Sequence, residues 1–152
     1  MDKVKLVEKF NEAIGLEFGA MLQYNQYAQV IMGQERQIWQ GFFLDASNES
    51  LGHARKFAER VVALGGVPNV EPDPVKQTND ITEMLRNSLR IERRALQTYT
   101  DALAFCEDNA GYRNLLEDQI QAEMEDVEEL EIFLEQVEKL PTARSGVAAS
   151  TA

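Results

Sequence analysis

The only histidine of the chain, His53, lies four residues after Glu49 in a stretch whose apolar residues repeat at helical spacing. Residues four apart share one face of a helix, so an imidazole and a carboxylate are expected side by side. Both fall on the apolar face, where a polar group needs a partner. Because imidazole nitrogen and carboxylate oxygen together suit divalent metal ions, the first chemistry that this pair suggests is metal binding.

Acidic residues interrupt the apolar faces of three other predicted helices at a similar depth. Counted from the two predicted hairpin turns, they lie within about two helical turns of the level of His53. Buried carboxylates at one level would repel one another and lose solvation unless cations neutralised them. The pattern therefore predicts one or two metal ions inside a helical bundle. The candidate ligands are Glu17, Glu49, His53, Glu92, Glu123 and Asp126.

Each of these residues also has a purely structural interpretation. A buried glutamate can be satisfied by an arginine or a tyrosine, and a histidine can be a hydrogen-bonded core residue. Tyr24 and Tyr99 each follow one of the glutamates by seven residues. They are predicted to be core residues, with a redox role for Tyr24 as the less favoured alternative. The recurrence of metal-binding residue types at one level of four helices favours the metal site.

Four long helical patterns account for most of the sequence. Apolar residues recur at steps of three and four across residues 3–32, 35–64, about 80–107 and, after a turn at 108–111, up to 139. Asp2 is a predicted N-cap of the first helix, a cap at Asn79 or Asp80 is predicted for the third, and Gly33 is predicted to end the first helix. Residues 1–140 are thus expected to form one helical domain, and residues 141–152, without periodicity, a disordered tail.

Loop lengths predict the topology. The first two helices and the last two are joined by short turns, which make antiparallel hairpins. The connection between the hairpins holds three prolines and can extend to about 50 Å, longer than a helix of about 42 Å. We therefore predict an all-α four-helix bundle of two antiparallel hairpins joined by one long crossover.

Composition narrows the function classes. The formal charge is −11, from 15 basic and 26 acidic residues, which argues against nucleic acid and favours small cations as partners. No apolar run is long enough to span a membrane, and the charged N-terminal segment does not fit a secretory signal, so a cytoplasmic location is expected. The single cysteine, Cys106, excludes an internal disulfide framework.

At these residues the chain resembles the ferritin-like di-iron carboxylate proteins, most closely the bacterioferritins, over about residues 5–140. The resemblance implies two irons per chain, with manganese as an alternative in one position. It also implies oxidation of ferrous to ferric iron by dioxygen or hydrogen peroxide, that is, a ferroxidase for iron storage or detoxification. The matching residues are Glu17, Gln23 and Tyr24, residues 53–61 (HARKFAERV), residues 64–68 (LGGVP), Glu92 and Glu123.

Three positions depart from the family pattern. Ser50 stands where the family has a bridging glutamate, so that the neighbouring Glu49 or a water is expected to take that bridge. Leu51 stands in place of the haem-ligating methionine, and no haem is expected. Asp126 replaces the second histidine, which makes the second site richer in oxygen and favours iron or manganese over zinc.

The resemblance also implies a role for each ligand. Glu17 and His53 would be terminal ligands of one metal, Glu92 and Asp126 of the other, and Glu123 the bridge; Glu17, His53, Glu92 and Glu123 are the predicted catalytic residues. A homo-oligomer, at least a dimer, is expected. The alternatives are a dimeric, non-storing di-iron or manganese/iron oxidase, and a structural subunit with a degenerate site that co-assembles with other ferritin-like subunits.

Overall fold

The computed structural model describes residues 1–139 and contains four α-helices in that range. The predicted all-α four-helix bundle is confirmed, and no strand occurs among the described residues. The predicted tail, residues 141–152, lies outside them. None of the helices in the described range combines the length and apolar character that crossing a membrane requires. The helices are α1 (Lys3–Val30), α2 (Gln34–Ala63), α3 (Ile81–Leu103) and α4 (Ala110–Lys139).

The helix ends follow the local sequence with two differences. Helix α1 ends at Val30 with Ile31 as its C-cap, and Gly33, which was predicted to end α1, is instead the N-cap residue of α2. The side chains of Asp2 and Asp80 accept hydrogen bonds from the backbone N–H groups of Lys5 (3.2 Å) and Glu83 (2.8 Å), as expected of N-caps. Helix α3 ends at Leu103 rather than near residue 107. The N–H of Cys106 bonds to the carbonyl three residues back. This tighter turn replaces the last α-helical turn.

The two hairpins pack so that α1 runs antiparallel to α3 and α2 antiparallel to α4. At one end of the bundle the N–H of Asp2 donates to the carbonyl of Phe105 (2.8 Å). At the other end Asn87 Nδ2 donates to Tyr27 Oη (2.9 Å). Helices α2 and α3 are therefore parallel, which requires the long crossover, residues 64–80, that the loop lengths predicted.

The crossover lies directly on α1 and runs in the same direction. The N–H of Asp73 donates to the carbonyl of Gly15 (2.9 Å), and the N–H of Lys76 donates to Gln23 Oε1 (2.7 Å). A Cβ atom on Gly19 would lie 2.8 Å from the carbonyl oxygen of Asp73. Glycine at this position therefore allows the two backbones to approach each other.

Two apolar clusters fill the ends of the bundle. One contains Phe10 and Phe57, whose ring centroids are 5.0 Å apart. The other contains Tyr27 and Phe43, at 5.4 Å. Between the clusters lies a layer of buried polar side chains that includes Glu17 and Glu123. The fold thus places Glu17 and Glu123 between two apolar regions.

Candidate metal centre

Each helix contributes at least one predicted ligand to the polar layer. Glu17 of α1 is 3% exposed and Glu123 of α4 is 0% exposed. The ligand atoms form two groups, within each of which they lie within 4.8 Å of one another. The first group is Glu17, His53 and Glu123, and the second is Glu92, Glu123 and Asp126. Glu123 belongs to both, the position that a ligand shared by two ions would occupy.

The carboxylate of Glu123 has one partnered and one unpartnered oxygen. Oε1 accepts a hydrogen bond of 2.6 Å from Gln119 Nε2. Oε2 is buried and has no hydrogen-bond partner among the described residues. A buried polar oxygen without a donor is destabilising, and a metal ion would satisfy it. Burial and the charges of Glu17 and Glu92 raise the pKa of Glu123 to about 11.

In the first group, His53 lies between two carboxylates. Its Nδ1 is 3.3 Å from Glu17 Oε1 and 3.4 Å from Glu123 Oε1. Burial works to lower the pKa of His53, but the hydrogen bond and charge of Glu17 outweigh it, so the pKa lies above its ordinary value. Glu17 Oε1 also accepts a hydrogen bond of 2.6 Å from Tyr99.

The second group consists of carboxylates alone. Burial and the charge of Glu17 raise the pKa of Glu92 to about 7, although Tyr24 donates a hydrogen bond to Glu92 Oε1. Burial and the charge of Glu49 raise the pKa of Asp126 to about 6. Like charges crowded in a poorly solvated space disfavour ionisation. A cation bound here would reverse that effect.

Glu49 lies outside both groups. Its side chain is 54% exposed, and Oε1 is 4.0 Å from His53 Nε2. Ser50, in contrast, is 5% exposed. The four-residue spacing from His53 predicted Glu49 as a residue of the same inward face. However, His53 lies at the edge of the buried face, whose centre is formed by Ser50, Ala54 and Phe57, and this direction carries Glu49 outwards.

A cavity of about 240 Å³ connects the second group with the surface between α2 and α4. Tyr24, Ser50 and Glu92 are among its lining residues, and Asp45 and Glu129 are exposed carboxylates in its wall. A cleft lined by one sign of charge raises the local concentration of the opposite ion. This cavity can therefore admit cations to the ligands of the second group.

Gln119 is a residue of the centre that sequence reasoning missed. It is buried, and its Nε2 lies 3.1 Å and 3.2 Å from the two ring nitrogens of His53 as well as bonding to Glu123. Its Oε1 accepts a hydrogen bond from Lys56 Nζ. The available signal was spacing: Gln119 precedes Glu123 by four residues and shares its helix face.

Comparison with known families and proteins gives consistent results. A ferritin-like domain model matches residues 7–140. The bacterioferritin of Brucella melitensis biotype 1 is 24% identical, over 93% of this chain and 90% of its own length. A bacterial ferritin of Pseudomonas aeruginosa is 28% identical over 53% of this chain and 51% of its own.

Two solved structures share the fold. A ferritin-like di-iron-carboxylate protein from Bacillus anthracis superimposes with a TM-score of 0.84 at 32% identity, covering 88% of this chain and 98% of that one. The bacterioferritin of Rhodobacter capsulatus, described with a metal-free dinuclear site and haem iron, superimposes with a TM-score of 0.81 at 28% identity. That match covers 91% of this chain and 88% of the other.

Proposed function

The chain belongs to the ferritin-like domain family, and on that premise we propose that it oxidises Fe²⁺ to Fe³⁺ with dioxygen or hydrogen peroxide at a two-metal centre inside the bundle. The observation that carries the proposal is Glu123. It is shared by two ligand groups on four helices and keeps one buried oxygen without a donor. Two bound cations would satisfy this oxygen and neutralise the surrounding carboxylates.

On this proposal the two ions have different ligands. Glu17 and His53 bind one ion, Glu92 and Asp126 bind the other, and Glu123 bridges them. Ser50 supplies no second carboxylate bridge, so coordination positions towards α2 remain for water or oxidant. The nitrogen-containing first site and the all-oxygen second site suit iron, with manganese as an alternative in the second.

The reaction balances with iron as the substrate. Two ferrous ions each lose one electron; dioxygen takes up both electrons and two protons to give hydrogen peroxide. When hydrogen peroxide is the oxidant, it takes up two electrons and two protons and gives two waters. The protein orients two of the ligands before the ions bind. Tyr99 donates a hydrogen bond to one oxygen of Glu17, and Tyr24 donates one to an oxygen of Glu92. Binding of each ion displaces protons from the carboxyl groups.

The test is aerobic addition of ferrous iron to metal-free protein, followed by ultraviolet absorbance. Oxidation faster than in buffer is expected, with a break near two irons per chain. The Glu123→Gln variant is expected to lose the fast phase, because an amide cannot bridge two cations. Glu128→Gln, on the exposed face of the same helix, is the matched control. Oxidation at the buffer rate by the unaltered protein would contradict the proposal.

A second function is favoured by one observation, the exposure of Glu49 beside the buried Ser50. With a single bridging carboxylate, the chain could bind iron without turnover and act as a structural subunit in a mixed assembly. Metal analysis separates the two functions: iron bound at about two per chain without oxidation supports the structural role.

We further propose a homo-oligomer that stores the ferric product, which sedimentation before and after iron loading would test.

A further inference from the structure

A second cavity, of about 330 Å³, lies between α1 and α3 and is covered by the crossover. It shares no lining residue with the cavity at the metal centre. Gln23 and Asn87 are its buried polar residues, whereas Lys76, Arg90 and Arg94 are exposed and line its rim. The cavity therefore combines buried polar groups with cationic side chains that are open to solvent.

The side chain of Gln23 is oriented by the crossover. Its Oε1 accepts the 2.7 Å hydrogen bond from the N–H of Lys76, which fixes the orientation of the amide. Gln23 is 2% exposed, and its Nε2 has no hydrogen-bond partner among the described residues. Two buried N–H donors without an acceptor are destabilising. The group that belongs there must therefore offer an acceptor atom.

The charges around the cavity indicate that this acceptor is an anion. Arg94 Nη1 is paired with Asp73 Oδ2 at 2.7 Å, so these two charges compensate each other. Arg90 donates to the side-chain oxygen of Asn87. Within residues 1–139, neither Arg90 nor Lys76 has a carboxylate oxygen within ion-pair distance. Lys76 and Arg90 thus leave two positive charges without a partner carboxylate, in a chain whose net charge is −11. The cavity is therefore locally favourable for a negatively charged ligand.

We propose that this cavity binds a small oxyanion of the phosphate class. Gln23 Nε2 donates to it from the buried side, and Arg90 and Lys76 neutralise it at the rim. Because these residues belong to α1, α3 and the crossover, the bound ion holds three segments together. The inference is independent of the metal centre and goes beyond iron oxidation.

The test uses metal-free protein in the presence of a chelator, so that its outcome does not depend on iron binding. Sodium phosphate is titrated calorimetrically at constant ionic strength, with sodium chloride as the reference. Saturable binding of one phosphate per chain is expected. Arg90→Gln is expected to weaken it about tenfold, because one charge-assisted hydrogen bond is lost. Arg93→Gln is the matched control, since Arg93 on the same helix pairs with Glu131 instead.

A second variant tests the buried donor. Gln23→Glu keeps the acceptor for the Lys76 N–H but places a carboxylate where the N–H donors stood, and it is expected to abolish phosphate binding. A crystal structure in phosphate should show a tetrahedral ion bonded to Gln23 Nε2. Three results would each overturn the proposal: no saturable heat, equal weakening by Arg90→Gln and Arg93→Gln, or a water or another chain's side chain at Gln23 Nε2.

Discussion

The hydroxyl of Tyr99 on α3 donates a 2.6 Å hydrogen bond to Glu17 on α1. The reciprocal bond runs from Tyr24 on α1 to Glu92 on α3. Each tyrosine follows the glutamate of its own helix by seven residues. It donates its hydrogen bond to the glutamate of the other, antiparallel helix. The alternative interpretation of these glutamates, that tyrosines satisfy them as buried core residues, is thus partly correct. Each tyrosine holds only one carboxylate oxygen, so ligand capacity remains.

Tyr99→Phe tests this positioning. The ring keeps its stacking on Phe57, at a centroid distance of 4.7 Å, and only the hydroxyl is lost. We expect affinity for the ion between Glu17 and His53 to fall about tenfold, because partners of metal ligands contribute this much. Metal titration of the purified variant is the measurement. Tyr112→Phe, in the same apolar cluster, is the control, and equal affinity in both variants would disprove the positioning role.

The metal-free protein is expected to lose stability as pH rises. Burial and neighbouring charges raise the pKa of Glu92 to about 7 and of Asp126 to about 6, from ordinary values of 4.5 and 3.8. The folded state therefore binds protons more tightly than the unfolded chain over this range. This contribution to stability is present at low pH and disappears as pH rises through the raised values. His53, whose pKa is also raised, acts in the same direction.

Thermal unfolding between about pH 5 and about pH 8 measures this effect. The melting temperature of the metal-free protein should fall, and the double variant Glu92→Gln, Asp126→Asn should show a shallower fall. Metal-loaded protein should show the opposite trend, because protons compete with the ion for the same ligands. A pH profile that the double variant leaves unchanged would show that these carboxyl groups do not control stability.

Ser50→Glu tests whether the missing bridge limits the centre. A carboxylate at this buried position adds a ligand on α2 next to His53. We expect tighter metal binding and faster iron oxidation, together with a lower melting temperature of the metal-free protein, because a further carboxylate is buried. Asn48→Glu, which adds the same charge at an exposed position of α2, is the control. A destabilised variant without gain in affinity would show that α2 cannot supply the bridge.

Gly19→Ala tests the docking of the crossover. The new methyl group would lie 2.8 Å from the carbonyl oxygen of Asp73, so the crossover must move. A loss of about 1–3 kcal/mol in the free energy of unfolding is expected. Gly41→Ala has no atom within 4 Å of the new Cβ and should stabilise α2 by about 0.5–1 kcal/mol. Denaturant unfolding of both variants gives the comparison, and equal effects would contradict the close approach.

Local signals in the sequence were sufficient for the fold. Apolar spacing and the caps at Asp2 and Asp80 predicted the helices, and loop lengths predicted the crossover. The end of α3 was misplaced, because apolar spacing continues through Cys106 while the backbone changes to a tighter turn. The spacing of apolar residues alone does not predict this change from an α-helix to a tighter turn.

The centre was less predictable because it depends on where the bundle axis lies relative to each helix. His53 was a poor reference for the inward direction of α2, and Glu49 was misjudged as inward-facing as a result. Gln119 shares a helix face with Glu123, but this spacing alone does not single it out, since an uncharged amide on a helix face is compatible with many environments. Glu49 lies outside both ligand groups, and the assignment of Glu17, His53, Glu92, Glu123 and Asp126 as ligands remains a prediction for the metal titrations to test.

The sharing of Glu123 by both ligand groups has a thermodynamic consequence for loading. In the metal-free chain the raised pKa of the Glu123 carboxyl favours its protonated form. The first ion to bind must therefore displace the proton of Glu123, whereas the second ion binds to a carboxylate that is already deprotonated. Mutual repulsion of the two ions opposes this gain. Whatever the net factor, reciprocity requires that filling either site change the affinity of the other equally. On the proposed function, the two sites would therefore form one linked binding unit.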